Sequence, residues 1–232
     1  MNLLHRVQPP STADGQRLLL HAVDWRTYEK FLDAVGQRPL RLTYDRGNLE
    51  IMAPSWNHEW WKRRIGFVIP LLGAELNVKV QGGGSTTFRR EDVERGLEPD
   101  ECFYIGAHAA QMSGPDREID LSRDPPPDLV IEVDITRSSL DREGIYAALG
   151  VPELWRFDGE SLQASRLGPD RTYILCARSL AFPSLPLPEL VRLLQETQRL
   201  DESELIRPVQ EWARRHASGA PSGAPPASPA AP

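Results

Sequence analysis

The stretch "PDLVIEVD" at 127–134 constrains this chain more than any other. Its alternation reads as a β-strand, with Leu129, Ile131 and Val133 on one face and Asp128, Val130, Glu132 and Asp134 on the other. A strand with one apolar face belongs against a core. Three carboxylates in alternate positions of such a strand need compensation by a cation, a basic partner or water in a cleft. Spacing separates the three. A strand rises about 3.3 Å per residue, so Glu132 and Asp134 project about 6–7 Å apart, and Asp128 about 13 Å from Glu132. The oxygens of one metal shell lie about 2–2.6 Å from the ion, so a straight strand cannot bring Asp128 and Glu132 to one metal. A partner for Glu132 must come from a neighbouring strand. "EPDECFYI" at 98–105 offers Asp100 at the start of an apolar run. Asp100 beside Glu132 makes a hard, oxygen-rich site for Mg²⁺ or Mn²⁺. The plainer alternative ends a loop at Asp128 after "DPPP", pairs Glu132 with a nearby arginine and begins a turn at Asp134. That alternative is preferred for Asp128, and the functional reading for Glu132.

The remaining pattern mixes helices and strands. Residues 24–36 suit a short helix stopped by Gly36, and "LRLTY" and "LEIMA" joined by "DRGN" suit a hairpin. Residues 56–76 read as a longer helix with Pro70 as a kink or a broken end. The strand-like pieces "VKVQ", "STTFRR", "ECFYI" and "DLVIEVD" follow, then a helix at about 139–149 with Ser138 and Ser139 as its cap. "ELWRFD", "LQASRL" and "TYILCA" add strands, and two helical stretches close the ordered part. This order argues for an α/β or α+β architecture with a mixed sheet. Residues 1–20 read as a lead-in, 21–215 as one domain, and the small, Pro-rich 216–232 as a disordered tail.

"GLEPDECFYI" followed by "PDLVIEVDITRSSLDREGIYAALGVPELWRFDG" resembles the Uma2 family of restriction-endonuclease-like proteins, within the PD-(D/E)xK nuclease superfamily. "GNLEIMAPS" with "HEWW", and "GSTTFRRED", support the resemblance, which spans roughly residues 25–180. It implies a restriction-endonuclease-like α/β fold, a central mixed sheet flanked by helices. It also implies a divalent metal held between an acidic residue of the first core helix, an Asp on one strand and a Glu-x-Lys on the next. By position, Glu59 is the helix acid, Asp100 the motif Asp and Glu132 the motif Glu, with the Val133 carbonyl as a further ligand. The motif lysine is replaced by Asp134, itself an added ligand or a holder of water. Family members often carry a basic residue on the following helix, and here that residue is Arg142 in "SSLDREGIY". Arg142 and Tyr146 lie one turn apart, so the guanidinium can reach back to the sheet. Arginine steadies phosphate charge but, with a pKa above about 12, is a poor proton shuttle. A salt bridge from Arg142 to Asp134 or Asp141 is the equal alternative. The implied activity is Mg²⁺- or Mn²⁺-dependent hydrolysis of DNA; nuclease folds of this size commonly act as homodimers, although the sequence shows no clear dimer seam.

Other features narrow the field. The net charge of −6 gives no support to wholesale phosphate wrapping, although "WWKRR" (60–64) and "FRR" (88–90) can form local basic walls. Solvated surface is the preferred reading of both runs. "HEWWK" lacks the second histidine of a zinc-protease motif, and "GGGSTT" (82–87) lacks a phosphate-loop ending and reads as a tight turn between strands. Trp60 and Trp61 could stack on bases, although helix aromatics usually face a core. Cys102 and Cys176 read as small core residues, not a disulfide or metal pair. No run approaches membrane-spanning length, and the cytoplasm is the expected compartment. The rival to a nuclease is a binding or regulatory protein that keeps the fold without efficient chemistry.

Overall fold

The computed structural model describes residues 16–36, 38–115, 119–134 and 138–217. Residues 1–15 of the expected lead-in and 218–232 of the expected tail lie outside these. The rest of the lead-in is not loose: Gln16–Leu20 forms strand β1. In chain order there follow α1 (Trp25–Val35), β2 (Arg41–Asp45), β3 (Asn48–Ala53), α2 (Trp56–Glu75), β4 (Val80–Gly82), β5 (Phe88–Arg90), β6 (Arg95–Leu97), β7 (Glu101–Ile105) and α3 (Ala107–Gln111). The second half holds β8 (Leu129–Val133), α4 (Arg142–Leu149), β9 (Glu153–Phe157), β10 (Leu162–Leu167), β11 (Tyr173–Cys176), α5 (Leu187–Glu196) and α6 (Glu202–Ala217).

The strands form two sheets. A six-stranded mixed sheet runs β11-β10-β9-β8-β7-β4, with β8 and β9 parallel and joined through α4. A five-stranded antiparallel sheet runs β1-β3-β2-β6-β5. The α/β expectation holds, and a second sheet accompanies the mixed one. The β2–β3 hairpin turns through Arg46 and Gly47, both at positive φ (44° and 88°), as a two-residue primed turn requires. "GGGSTT" departs from its reading as a tight turn. It leads from β4 in one sheet to β5 in the other, because β4 pairs with β7 whereas β5 pairs with β6.

Strand β8 is buried along its whole length. Leu129, Ile131 and Val133 face α2, α5 and α6 and pack with Trp61, Ile65, Trp155, Phe157 and Leu190. Val130 faces the other way, into a core with Cys102, Phe88, Ile145 and Leu154. The middle of the strand's carboxylate face, at Glu132, is therefore roofed by α4 and the small sheet, whereas Asp128 and Asp134 at its two ends stay partly exposed. Pro70 neither ends nor breaks α2, which continues to Glu75. Burial of Ile65, Val68, Ile69 and Leu72 offsets the lost backbone bond. The cap of α4 is Asp141, whose carboxylate accepts from the Gly144 amide at 3.0 Å, and not Ser138 or Ser139. Cys102 is buried, whereas Cys176 sits half-exposed on the edge strand; both are free thiols. No described helix is long and apolar enough to cross a membrane.

Candidate active site

The β7–β8 register pairs Glu101 with Ile131, and one further step sets Asp100 opposite Glu132. Directly opposed residues of an antiparallel pair have Cβ atoms about 4.5–5.5 Å apart, so the two acids are neighbours on one face. Both are buried. The Val133 amide donates to Asp100 Oδ2 at 2.8 Å, and His58 Nε2 reaches the same oxygen at 3.1 Å. Arg142 Nη2 donates to Glu132 Oε1 at 2.6 Å, and the Tyr146 hydroxyl donates to that oxygen as well. The guanidinium is clamped further by Thr43 Oγ1 at 2.6 Å and the Glu98 carbonyl at 2.9 Å. It is thus tied to both sheets and to its own helix. Arg142 pairs with neither Asp134 nor Asp141.

Other expected site residues are placed differently. Glu59 does not line the pocket between the two acids. It pairs with Arg41 at 3.3 Å and Lys62 at 3.4 Å, and the side chain that α2 presents to Asp100 is its neighbour His58. Asp134 lines the pocket but its carboxylate is held by Arg156, which also takes Glu143 at 2.8 Å. Asp128 is positional: it accepts from the Ile105 amide at 2.7 Å and contacts His108 Nδ1 at 2.9 Å. In "WWKRR", Trp61 is core, Arg64 is buried against the Leu200 and Thr197 carbonyls, and Arg63 pairs with Glu202 at 2.6 Å. In "FRR", Phe88 is core, Arg89 faces Glu29 at 3.7 Å and Arg90 pairs with Asp92.

The sequence matches the Uma2 family model, described as "Putative restriction endonuclease", over residues 25–217. The chain belongs to the Uma2 family. No curated protein matches it.

Two residues of this Uma2 site escaped the sequence reading. Glu50, buried on β3, accepts from Arg17 Nη1 at 2.8 Å, Ser138 Oγ at 2.8 Å and the Ser139 amide at 2.7 Å. It fastens the segment before α4 to the small sheet, and so holds Arg142 over Glu132. Its signal was a lone Glu in the apolar run "LEIM". Thr43, directly opposite Glu50 in register, supplies the hydroxyl under Arg142.

The electrostatics divide the pair. Burial pushes the Glu132 carboxyl up, Arg142 opposes that, and the Asp100 charge adds to it. Burial works against the Asp100 charge too, but the His58 contact, the Arg142 charge and the Val133 amide together outweigh it and hold Asp100 below the usual range. Burial disfavours charge on His58, yet Asp100 and Glu59 together raise it to about 9, so it is cationic at neutral pH. His58 Nδ1 has no hydrogen-bond partner among the described residues and stands 3.6 Å from Glu59 Oε1.

The residues fit a small divalent cation in a limited way. No described group of three or more His, Cys, Asp or Glu side chains is placed to share an ion. Mg²⁺ characteristically takes one or two carboxylates and keeps several waters. Here each acid offers one oxygen, Asp100 Oδ1 and Glu132 Oε2, that no described donor reaches. The pocket between them has a volume of about 20 Å³, enough for one ion or water. The N–H and C=O of one strand residue point to the same side, so the Val133 carbonyl faces Asp100 with its amide. Asp100, Glu132 and Val133 would hold the ion.

Proposed function

We propose that this chain is a divalent-cation-dependent endonuclease that hydrolyses phosphodiester bonds in DNA. The observation that carries the reading is the opposition of Asp100 and Glu132 across β7–β8, each with one open oxygen, beneath a fixed arginine. When bound, Mg²⁺ or Mn²⁺ would lower the pKa of a coordinated water and offset charge on the phosphate. Asp100 would orient the ion from a position braced by His58 and the Val133 amide. Glu132 would hold it from the opposite strand while Arg142 stays within reach of the non-bridging oxygens. Asp134 stands where the motif has its lysine, and Arg142 would supply the basic group from α4 instead. Because it stays charged, it stabilises developing negative charge but does not transfer the proton.

The test is cleavage of supercoiled plasmid with Mg²⁺ or Mn²⁺, comparing wild type with Asp100→Asn and Glu132→Gln. Loss of nicking in both variants, with unchanged circular dichroism, supports the reading. Equal cleavage by Glu132→Gln overturns it. One observation favours the rival reading, a nuclease fold kept for binding: both carboxylates already face a protein cation, His58 and Arg142. DNA binding that persists in both variants, with no cleavage by any of the three proteins, selects that rival.

A further inference from the structure

Trp56 opens α2 and is 85% exposed, the barest large apolar side chain among the described residues. An indole left in water two residues before His58 does nothing for the core. It borders an apolar notch of about 300 Å³ that also includes Glu59, Trp60, Arg63 and Leu200. Trp56 and Trp60 are one helical turn apart on the same side of α2. Trp60 is fixed from behind, edge-on to Trp61 with ring centroids 4.8 Å apart, and the Arg64 guanidinium lies 5.3 Å from its ring. One ion pair joins the wall of the notch to that of the acidic pocket: Glu59 lines the notch, and its partner Arg41 lines the pocket of Asp100 and Glu132.

We infer that this notch receives an unpaired nucleobase stacked on Trp56, so that the substrate is DNA with single-stranded or unstacked nucleotides beside the scissile phosphate. This rests on the nuclease reading and names its substrate class. The nearby charges favour a neutral planar ring over a cationic side chain. Glu202 is held by Arg63 at 2.6 and 3.1 Å, Glu59 by Arg41 and Lys62, and Asp201 caps α6 by accepting from the Glu204 amide at 2.9 Å. Arg64 already stands over Trp60, so an incoming lysine or arginine would meet like charge there. A base has a π-face and needs no counter-charge. Bases within an intact duplex are stacked on their neighbours and cannot offer that face.

The experiment is fluorescence anisotropy with short labelled oligothymidine and with a duplex of mixed sequence, in EDTA at low salt, for wild type, Trp56→Ala and Trp56→Phe. Binding of the single strand should weaken about tenfold to a hundredfold in Trp56→Ala and largely return in Trp56→Phe, with duplex binding unchanged. An unaltered single-strand affinity in Trp56→Ala overturns the inference and leaves the nuclease reading standing. Displacement of the oligonucleotide by a lysine-rich peptide from wild type but not from Trp56→Ala also overturns it, in favour of a basic partner. If wild type binds neither DNA and cuts none with metal, both readings fall together.

Discussion

Glu132 and Glu153 are both buried glutamates on adjacent parallel strands, β8 and β9, yet they are used in opposite ways. Glu153 is saturated by neutral donors: Trp155 Nε1 at 2.8 Å and the Leu180 amide at 3.0 Å share Oε1, and the Ala181 amide takes Oε2 at 2.8 Å. It ties a loop to the sheet and leaves no oxygen for a ligand. Glu132 takes two donors on one oxygen, one of them a buried cation, and leaves the other oxygen to a pocket. Burial of a carboxylate therefore does not mark a site. What marks it is an incomplete set of partners beside a second acid.

The largest expected effect tests that difference directly. Glu132→Gln should lower plasmid cleavage about a thousandfold, some 4 kcal/mol of transition-state stabilisation. Glu153→Gln should leave cleavage per folded molecule within a few-fold of wild type. Similar losses in both variants would erase the distinction. The reverse contrast appears in stability. Glu153→Leu strands the buried Trp155 indole N–H and two part-buried amides and should cost about 3 kcal/mol, read as a lower urea midpoint at unchanged slope.

A third prediction concerns the cation that braces the acidic pair. The folded pKa of His58 is raised to about 9, above its value of 6.5 in an unfolded chain. Its contribution to stability is then complete below about pH 6.5 and is lost as pH rises through 9. In EDTA, wild type should lose about 2–3 kcal/mol between those limits, and His58→Asn should show a flatter profile. Parallel profiles for wild type and His58→Asn would remove the histidine from the account.

The legible parts of this molecule were those fixed by short-range geometry. The period of two and the rise of a strand separated Glu132 from Asp128 and sent the search for its partner to Asp100. The spacing of a helix put Arg142 and Tyr146 on one side, and both meet Glu132. What escaped depends on how elements meet over long separations. β1 pairs with β3 some thirty positions along the chain, so "QRLLL" looked like a lead-in. Glu50 and Thr43 reach the site only because the second sheet roofs it. His58 and Glu59 are consecutive on a helix, about 100° apart, and the roll that aims His58 at Asp100 is set by Trp61, Ile65 and Val68 packing on the large sheet. Asp141 rather than Ser138 caps α4, and the Ser138 hydroxyl is used instead three residues earlier, donating to Glu50 and accepting from the Leu140 amide.

The smallest effect separates a donor that positions from one that only satisfies. The Tyr146 hydroxyl donates to Glu132 Oε1 and lies 3.3 Å from Arg142 Nη2. Tyr146→Phe keeps the ring in its core and deletes a hydrogen bond to a charged acceptor, a loss of about 1.5 kcal/mol in stability. Arg142 remains as the second donor to that oxygen, so cleavage should fall only several-fold while the metal concentration for half-maximal rate rises. A drop as deep as that of Glu132→Gln would mean that the hydroxyl itself takes part in the chemistry. An unchanged metal dependence would make Tyr146 as purely structural as the indole N–H that Trp155 gives to Glu153.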